Sequence, residues 1–177
     1  APAVVEPLAV TRAPLPSTPD AAAELRSATV AGYGRSWTIV EPTGHGPSRP
    51  LVIVLHGRGN TGATMRALGL DELVKSGVVV AYPDALGGSW NDGRANVDAM
   101  ANQQKVDDIG FVEAIITDSV GHDRVDPAKV ALVGHSNGAM LAAKVGCTRA
   151  DSVTALVLVS GVGGAELPAA CTPTKGF

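Results

Sequence analysis

No stretch of this sequence approaches the roughly 18 consecutive apolar residues that a membrane-crossing helix needs. The longest apolar run, "SVTALVLVSGVGGA" from Ser152, is broken by Ser and Gly and reads as a buried strand. There is no basic run either, and the formal charge is -3 at pH 7. A nucleic-acid binder would carry a positive footprint, so that class is excluded. Cysteine is scarce: Cys147 and Cys171 stand without a CxxC or a Cys/His cluster, which argues against a zinc site. Aromatics are few, with two Phe, two Tyr and two Trp, so an aromatic-lined pocket would be sparse.

What is present is aliphatic. Hydrophobic residues make up 45% of 177 residues, enough for one domain with a sizeable core. The chain starts "APAVVEPLAVTRAPLPSTPDAAAE", with no initiator Met and no charged-then-apolar leader. It reads as a mature exported chain whose residues 1–22 form a Pro/Ala-rich disordered tether, with a folded domain over 23–177. The cysteines are then two buried thiols or one disulfide, and an extracellular, oxidising location favours the bridge.

Apolar runs alternate in type along the domain. "LRSATVAGYGRSWTIVEP" predicts a hairpin around Gly32-Tyr33-Gly34. "LVIVLHG", "VVVAYP", "KVALVG" and "SVTALVLVSG" predict strands buried on both faces. Between them, Met65, Leu68, Leu70, Leu73 and Val74 recur at helical spacing up to Gly77, as do Val106, Ile109, Val112, Ile115 and Ile116. Alternating strands and helices predict a mostly parallel sheet with helices on both faces. Chemistry in such sheets sits at the carboxyl ends of the strands.

One of those ends carries Gly134-His135-Ser136-Asn137-Gly138 between a strand and a small-residue helix. A Gly-x-Ser-x-Gly turn in that context strains the serine backbone and exposes its hydroxyl beside the first amides of the helix. Ser136 is therefore the candidate nucleophile rather than an idle serine in a glycine turn. The strand ending His56-Gly57 offers the amide of Arg58 as a second donor beside that of Asn137, together an oxyanion site. His56 itself reads as a structural hydrogen-bonder. In "DALGGSWNDGRAN", Trp90 and Asn91 are candidates to touch substrate, Trp90 by stacking. Asp107 and Asp108 read as helix caps, and Asp84 and Asp92 as loop hydrogen-bonders.

"LHGRGNTG", "AYPDALGGSWND", "VDDIGFVEAII" and "VALVGHSNGAMLAAKVGC", in that order, resemble the secreted polyhydroxybutyrate depolymerase and feruloyl-esterase-like branch of the α/β-hydrolases over residues 25–177. The resemblance implies an α/β-hydrolase fold and an extracellular carboxylic-ester hydrolase working through an acyl-serine, with no metal and no organic cofactor. Its partner would be an ester substrate, polymer or small molecule. It departs at Arg58, where many relatives carry a smaller residue. The family order is Ser, then Asp or Glu, then His. After Ser136 the sequence has only Asp151 and Glu166 and no histidine; His45, His56, His122 and His135 all precede it. The resemblance therefore implies that two further strands, lying beyond Phe177, supply the triad Asp and His, so that this chain alone is expected to be a weak esterase or inactive. A non-catalytic binding module and a serine peptidase on the same scaffold are the competing readings.

Overall fold

The computed structural model describes residues 8–44, 46, 48–95, 97–161 and 171. Seven strands form one sheet: β1 (Thr11–Thr18), β2 (Ala21–Val30), β3 (Tyr33–Pro42), β4 (Arg49–Leu55), β5 (Val79–Pro83), β6 (Val125–His135) and β7 (Ala155–Val159). Their spatial order is β1-β2-β3-β5-β4-β6-β7. β5, β4, β6 and β7 run parallel, while β1, β2 and β3 continue the sheet antiparallel from the outer side of β5. Helix α3 (Asp108–His122) precedes β6 and helix α4 (Asn137–Thr148) follows it. The fold is that of the α/β-hydrolases.

Two apolar layers hold the sheet. On one face Ile53, Leu55, Leu132 and Ala81 pack with Phe111, Val112 and Ile115 of α3 and with Leu141 and Val145 of α4. On the other, Val40, Val54, Val80 and Tyr82 pack with Met65 of α1 (Gly62–Arg66) and with Val74 of a following 3-10 segment, Leu70–Ser76. Crossover helices on both faces are what parallel strands with two apolar sides require. The predicted hairpin forms, with Ala31 (φ 48°) and Gly32 (φ 84°) as its two turn residues. Positive φ at both positions is the two-residue turn whose twist matches the flanking strands.

Three expectations change. Residues 11–18 are not a tether: they form β1, paired with β2 from Thr11↔Ser27 to Thr18↔Ala21. Pro14 and Pro16 are tolerated because β1 lies at the sheet edge, where missing N–H donors do not interrupt a ladder between two neighbours. Residues 1–7 lie outside the described residues. The single helix expected up to Gly77 is split, because Gly69 turns left-handed (φ 87°) between α1 and the 3-10 segment and leaves Leu68 70% exposed. A short helix, α2 (Met100–Gln103), stands between the loop after β5 and α3. Finally, β7 is not buried on both faces; Val157, Leu158 and Val159 are exposed.

Cys147, in the last turn of α4, is bonded to Cys171. Closing that loop contributes on the order of 3 kcal/mol by restricting the unfolded chain.

Candidate active site

The turn at Ser136 is built by exclusion of side chains. Ser136 has φ 52° and ψ -117°, outside the regions a non-glycine residue normally adopts, at the junction of β6 and α4. Such strain persists only where its surroundings over-determine it. Here they do. A Cβ on Gly134 would lie 2.5 Å from Ala139 Cα and collide with the Gly138 carbonyl, and a Cβ on Gly138 would lie 2.6 Å from the His56 carbonyl and collide with that of Leu55. Helix α4 therefore starts directly against the end of β4. The Ser136 N–H donates to the Val159 carbonyl of β7 at 2.8 Å, and a Cβ on Gly161 would lie 2.5 Å from the Ser136 carbonyl oxygen. Ser136 itself is half-buried rather than sealed in.

Gly57 brings the end of β4 onto the same spot. A Cβ there would lie 3.4 Å from Ser136 Cβ and 2.8 Å from Nδ1 of His135. The strand end, the serine and the first turn of α4 thus meet at the carboxyl edge of β4 and β6. The main-chain N–H groups of Arg58 and Asn137 are not drawn into a hydrogen bond with any described residue. The Arg58 side chain is exposed and its guanidinium donates to the Asp98 carbonyl.

The loop after β5 does not overhang this spot; it underlies it. Trp90 is 0% exposed, its ring centroid 4.9 Å from that of His56, so no face is open for stacking a substrate. This corrects the expectation for Trp90, and Asn91 is likewise turned inward: its N–H donates to Asp108 at 2.6 Å and its amide to the Val106 carbonyl at 2.8 Å. Only tertiary packing decides this, since a Trp in a Gly- and Asn-rich segment carries no local mark of burial. Asp107 caps α3 through Gly110 as expected, but Asp108 does something else. It is buried, paired with Arg35 at 2.7 Å, and accepts from Asn91, so it fastens the loop to β3. Burial pushes its carboxyl up, with Arg35 opposing. Asp84 and Asp92 are loop hydrogen-bonders as read: Asp84 accepts from the Gly62 N–H. At Asp92, burial alone would raise the carboxyl, but hydrogen bonds from Arg94, Asn102 and Asn137 outweigh it and hold it low. Sequence reasoning missed Lys144, two turns into α4. Burial lowers its ammonium below the usual lysine range, and Nζ donates to the Asn91 carbonyl at 3.0 Å.

None of the described histidines is placed as a base for Ser136. His122 stands beside Arg12 and Asp118 at the far side of the sheet. His45 lies outside the described residues. His135 lies over Gly57. His56 is buried and accepts from the Ala85 N–H through Nε2 at 3.0 Å, so its proton sits on Nδ1, which donates to the Gly57 carbonyl at 2.8 Å. That is the structural role expected of it. Burial holds its pKa below the ordinary value, outweighing the Gly57 hydrogen bond. The folded-state value therefore lies under that of the unfolded chain, about 6.5. The stability that the neutral ring provides is complete above that value and is lost as the pH falls through the lower, folded-state one. The melting temperature is accordingly expected to decline as the pH drops from about 6.5 toward 5, and His56→Gln to flatten that part of the profile. An unaltered slope in the variant would remove His56 as its source.

On the α1 side of the sheet, an apolar groove of about 570 Å³ that reaches Gly134 and His135 is lined by Thr64, Met65, Leu68, Val133 and Val159, among others. No described aromatic residue lines it. Trp37, Trp90, Tyr82 and Phe111 are all buried in the core, and the Tyr33 hydroxyl bonds to Gln104 away from this edge.

Comparison with known proteins bears on the family and the fold. The family described as "Serine aminopeptidase, S33" matches residues 46–174. NocK of Nocardia uniformis subsp. tsuyamanensis, an esterase by name, is 29% identical over 88% of this chain and 51% of its own length. The chain thus spans about half the length of that curated relative. An acetyl xylan esterase from Paenibacillus sp. R4 superposes with a TM-score of 0.66 at 18% identity, over 88% of this chain and 54% of that one. A ferulic acid esterase does so with a TM-score of 0.57 at 19% identity, over 84% and 64%. At such identities the structural likeness establishes the fold alone.

Proposed function

The chain belongs to the serine aminopeptidase S33 family of α/β-hydrolases, and on that premise we propose that the protein is a serine carboxylic-ester hydrolase acting on aliphatic esters. Ser136 Oγ attacks the ester carbonyl, the alcohol leaves, and water releases the acyl group from the serine. The N–H groups of Arg58 and Asn137 hold the carbonyl oxygen as it becomes negative. The observation that carries this reading is the strained Ser136 turn, kept by two glycines that admit no Cβ and set against Gly57. An idle serine would not need that geometry.

The apolar groove supports an aliphatic acyl group or a polyester segment over a feruloyl group, since no described aromatic faces it. The Cys147–Cys171 bridge supports an oxidising location, hence secretion. Amide hydrolysis is the second reading, favoured by the family's description as an aminopeptidase. A fluorophosphonate probe, followed by paired p-nitrophenyl butyrate and butyryl p-nitroanilide assays, separates the cases. The expected result is covalent capture at Ser136 and turnover of the ester far above the anilide. Anilide turnover matching the ester would install the peptidase. No capture at Ser136 would leave a binding module.

A further inference from the structure

The two N–H groups of the oxyanion site belong to different elements: Arg58 to the loop after β4, Asn137 to the first turn of α4. They serve one oxygen only if both lie about 3 Å from it, so their separation has to be fixed by something that touches both. Contact between Gly138 and the ends of Leu55 and His56 brings the two backbones together but does not orient them. One buried residue bonds to both sides. The Trp90 main-chain N–H donates to Asn137 Oδ1 at 2.7 Å, and its carbonyl accepts from Asn137 Nδ2 at 3.1 Å. The same amide nitrogen donates to Asp92 at 2.7 Å, so every polar atom of the Asn137 side chain is used to hold this loop. In the other direction, the Trp90 indole N–H donates to the His56 carbonyl at 2.8 Å, and the ring packs on the His56 imidazole. His56 is two residues before Arg58.

We propose that Trp90 is a positioning residue that sets the spacing of the two oxyanion donors, bonding to Asn137 through its backbone and to the Arg58 strand end through its indole. The inference rests on the hydrolase reading above. It explains why an amphipathic side chain is spent in a fully dry place and why Asn, whose amide both donates and accepts, follows the nucleophile. A pair of peptide-like hydrogen bonds to a side chain fixes the α4 start in rotation as well as position. Removing the indole donor leaves the His56 carbonyl buried without its partner and frees the Arg58 side to move.

The test compares Trp90→Phe with Trp37→Phe. Trp37 is equally buried and lies in the same apolar cluster, but its indole nitrogen has no partner among the described residues and it touches neither donor. The readouts are the rate of fluorophosphonate capture at Ser136, kcat and KM for p-nitrophenyl butyrate, and the preference for an oxygen ester over the matching thionoester. A thiocarbonyl accepts hydrogen bonds poorly, so that preference reports the oxyanion donors and not core packing. Trp90→Phe is expected to slow capture and kcat by about 10²-fold, as a small misplacement of reacting groups does, with KM little changed and the oxygen preference narrowed. Trp37→Phe is expected to lower the melting temperature and leave the preference intact. Asn137→Ala cuts the same brace from the other side; it is expected to match Trp90→Phe, to add little in the double variant, and to carry the test should Trp90→Phe not fold. A wild-type protein that reacts, with Trp90→Phe and Asn137→Ala both keeping its oxygen preference, overturns this inference alone. A wild type that takes no label at Ser136 overturns the hydrolase reading and this inference with it.

Discussion

Ser136→Ala is expected to abolish fluorophosphonate capture outright and, wherever a general base serves the hydroxyl, to lower kcat by about 10⁶-fold. The two measurements carry different information. Nucleophile and base act as a unit, so removing one costs nearly what removing both costs. A serine without a base is a poor nucleophile at neutral pH, and what survives is the rate of about 10³–10⁴ over water that oxyanion donors and binding supply. Among the described residues no side chain hydrogen-bonds the Ser136 hydroxyl, and His56, the nearest buried imidazole in sequence to the oxyanion loop, has both ring nitrogens engaged elsewhere. The size of the Ser136→Ala effect therefore reads out whether a base is in place. A small effect that grows when imidazole is supplied in solution identifies a serine whose partner is missing. A large one identifies a complete triad. Capture that persists in Ser136→Ala sinks the assignment of the nucleophile.

The second large effect is on stability and lies far from the serine. Arg26, on β2, is 3% exposed and forks onto Asp123 with bonds of 2.6 and 2.7 Å while reaching Asp118 at 2.6 Å. Burial alone would lower its pKa, but the Asp123 and Glu24 hydrogen bonds and the Asp118 charge drive it well above the ordinary arginine value. Arg26→Met keeps the apolar stem and removes the charge, leaving two buried carboxylates, of which only Asp118 keeps ion-pair partners, Arg12 and His122, among the described residues. Breaking a buried network from one side costs about 3–5 kcal/mol, because the surviving charges stay desolvated. Urea unfolding is expected to show a loss of that size without a change in slope. A loss under about 1 kcal/mol would mean that the network behaves as an exposed one.

The division between what could be read from the residues and what could not follows the range of the forces involved. The Ser136 turn, the Gly32 hairpin and the α3 cap at Asp107 are local: a glycine pattern, two positive φ values, one side chain bonding three residues ahead. They were legible. Two-faced apolar strands also announced the parallel part of the sheet. What was illegible depends on distant partners. Pro14 and Pro16 resemble a tether until an antiparallel neighbour appears on one side only. Leu68, Leu70 and Leu73 keep a helical period, yet Gly69 breaks the helix because two short pieces cover the β5 face. Trp90 reads as a pocket residue because its loop follows the carboxyl end of a strand, and its neighbours are polar. Those neighbours are the acceptors and donors of a buried network joining Arg35, Asp108, Asn91, Asp92, Lys144 and Asn137. The one cue to it is Asn137, a side chain with two donors and an acceptor placed where a helix former would otherwise serve.

The clasp of β7 on the Ser136 turn bears on the order of folding. With the Ser136 N–H tied to Val159 and Gly161 lying on the Ser136 carbonyl, the turn cannot hold its backbone until β7 has docked against β6. Parallel pairing across a helix is a late, non-local event. A refolding chain would thus build the core around β4 and β6 first and set the Ser136 backbone only once β7 is in place.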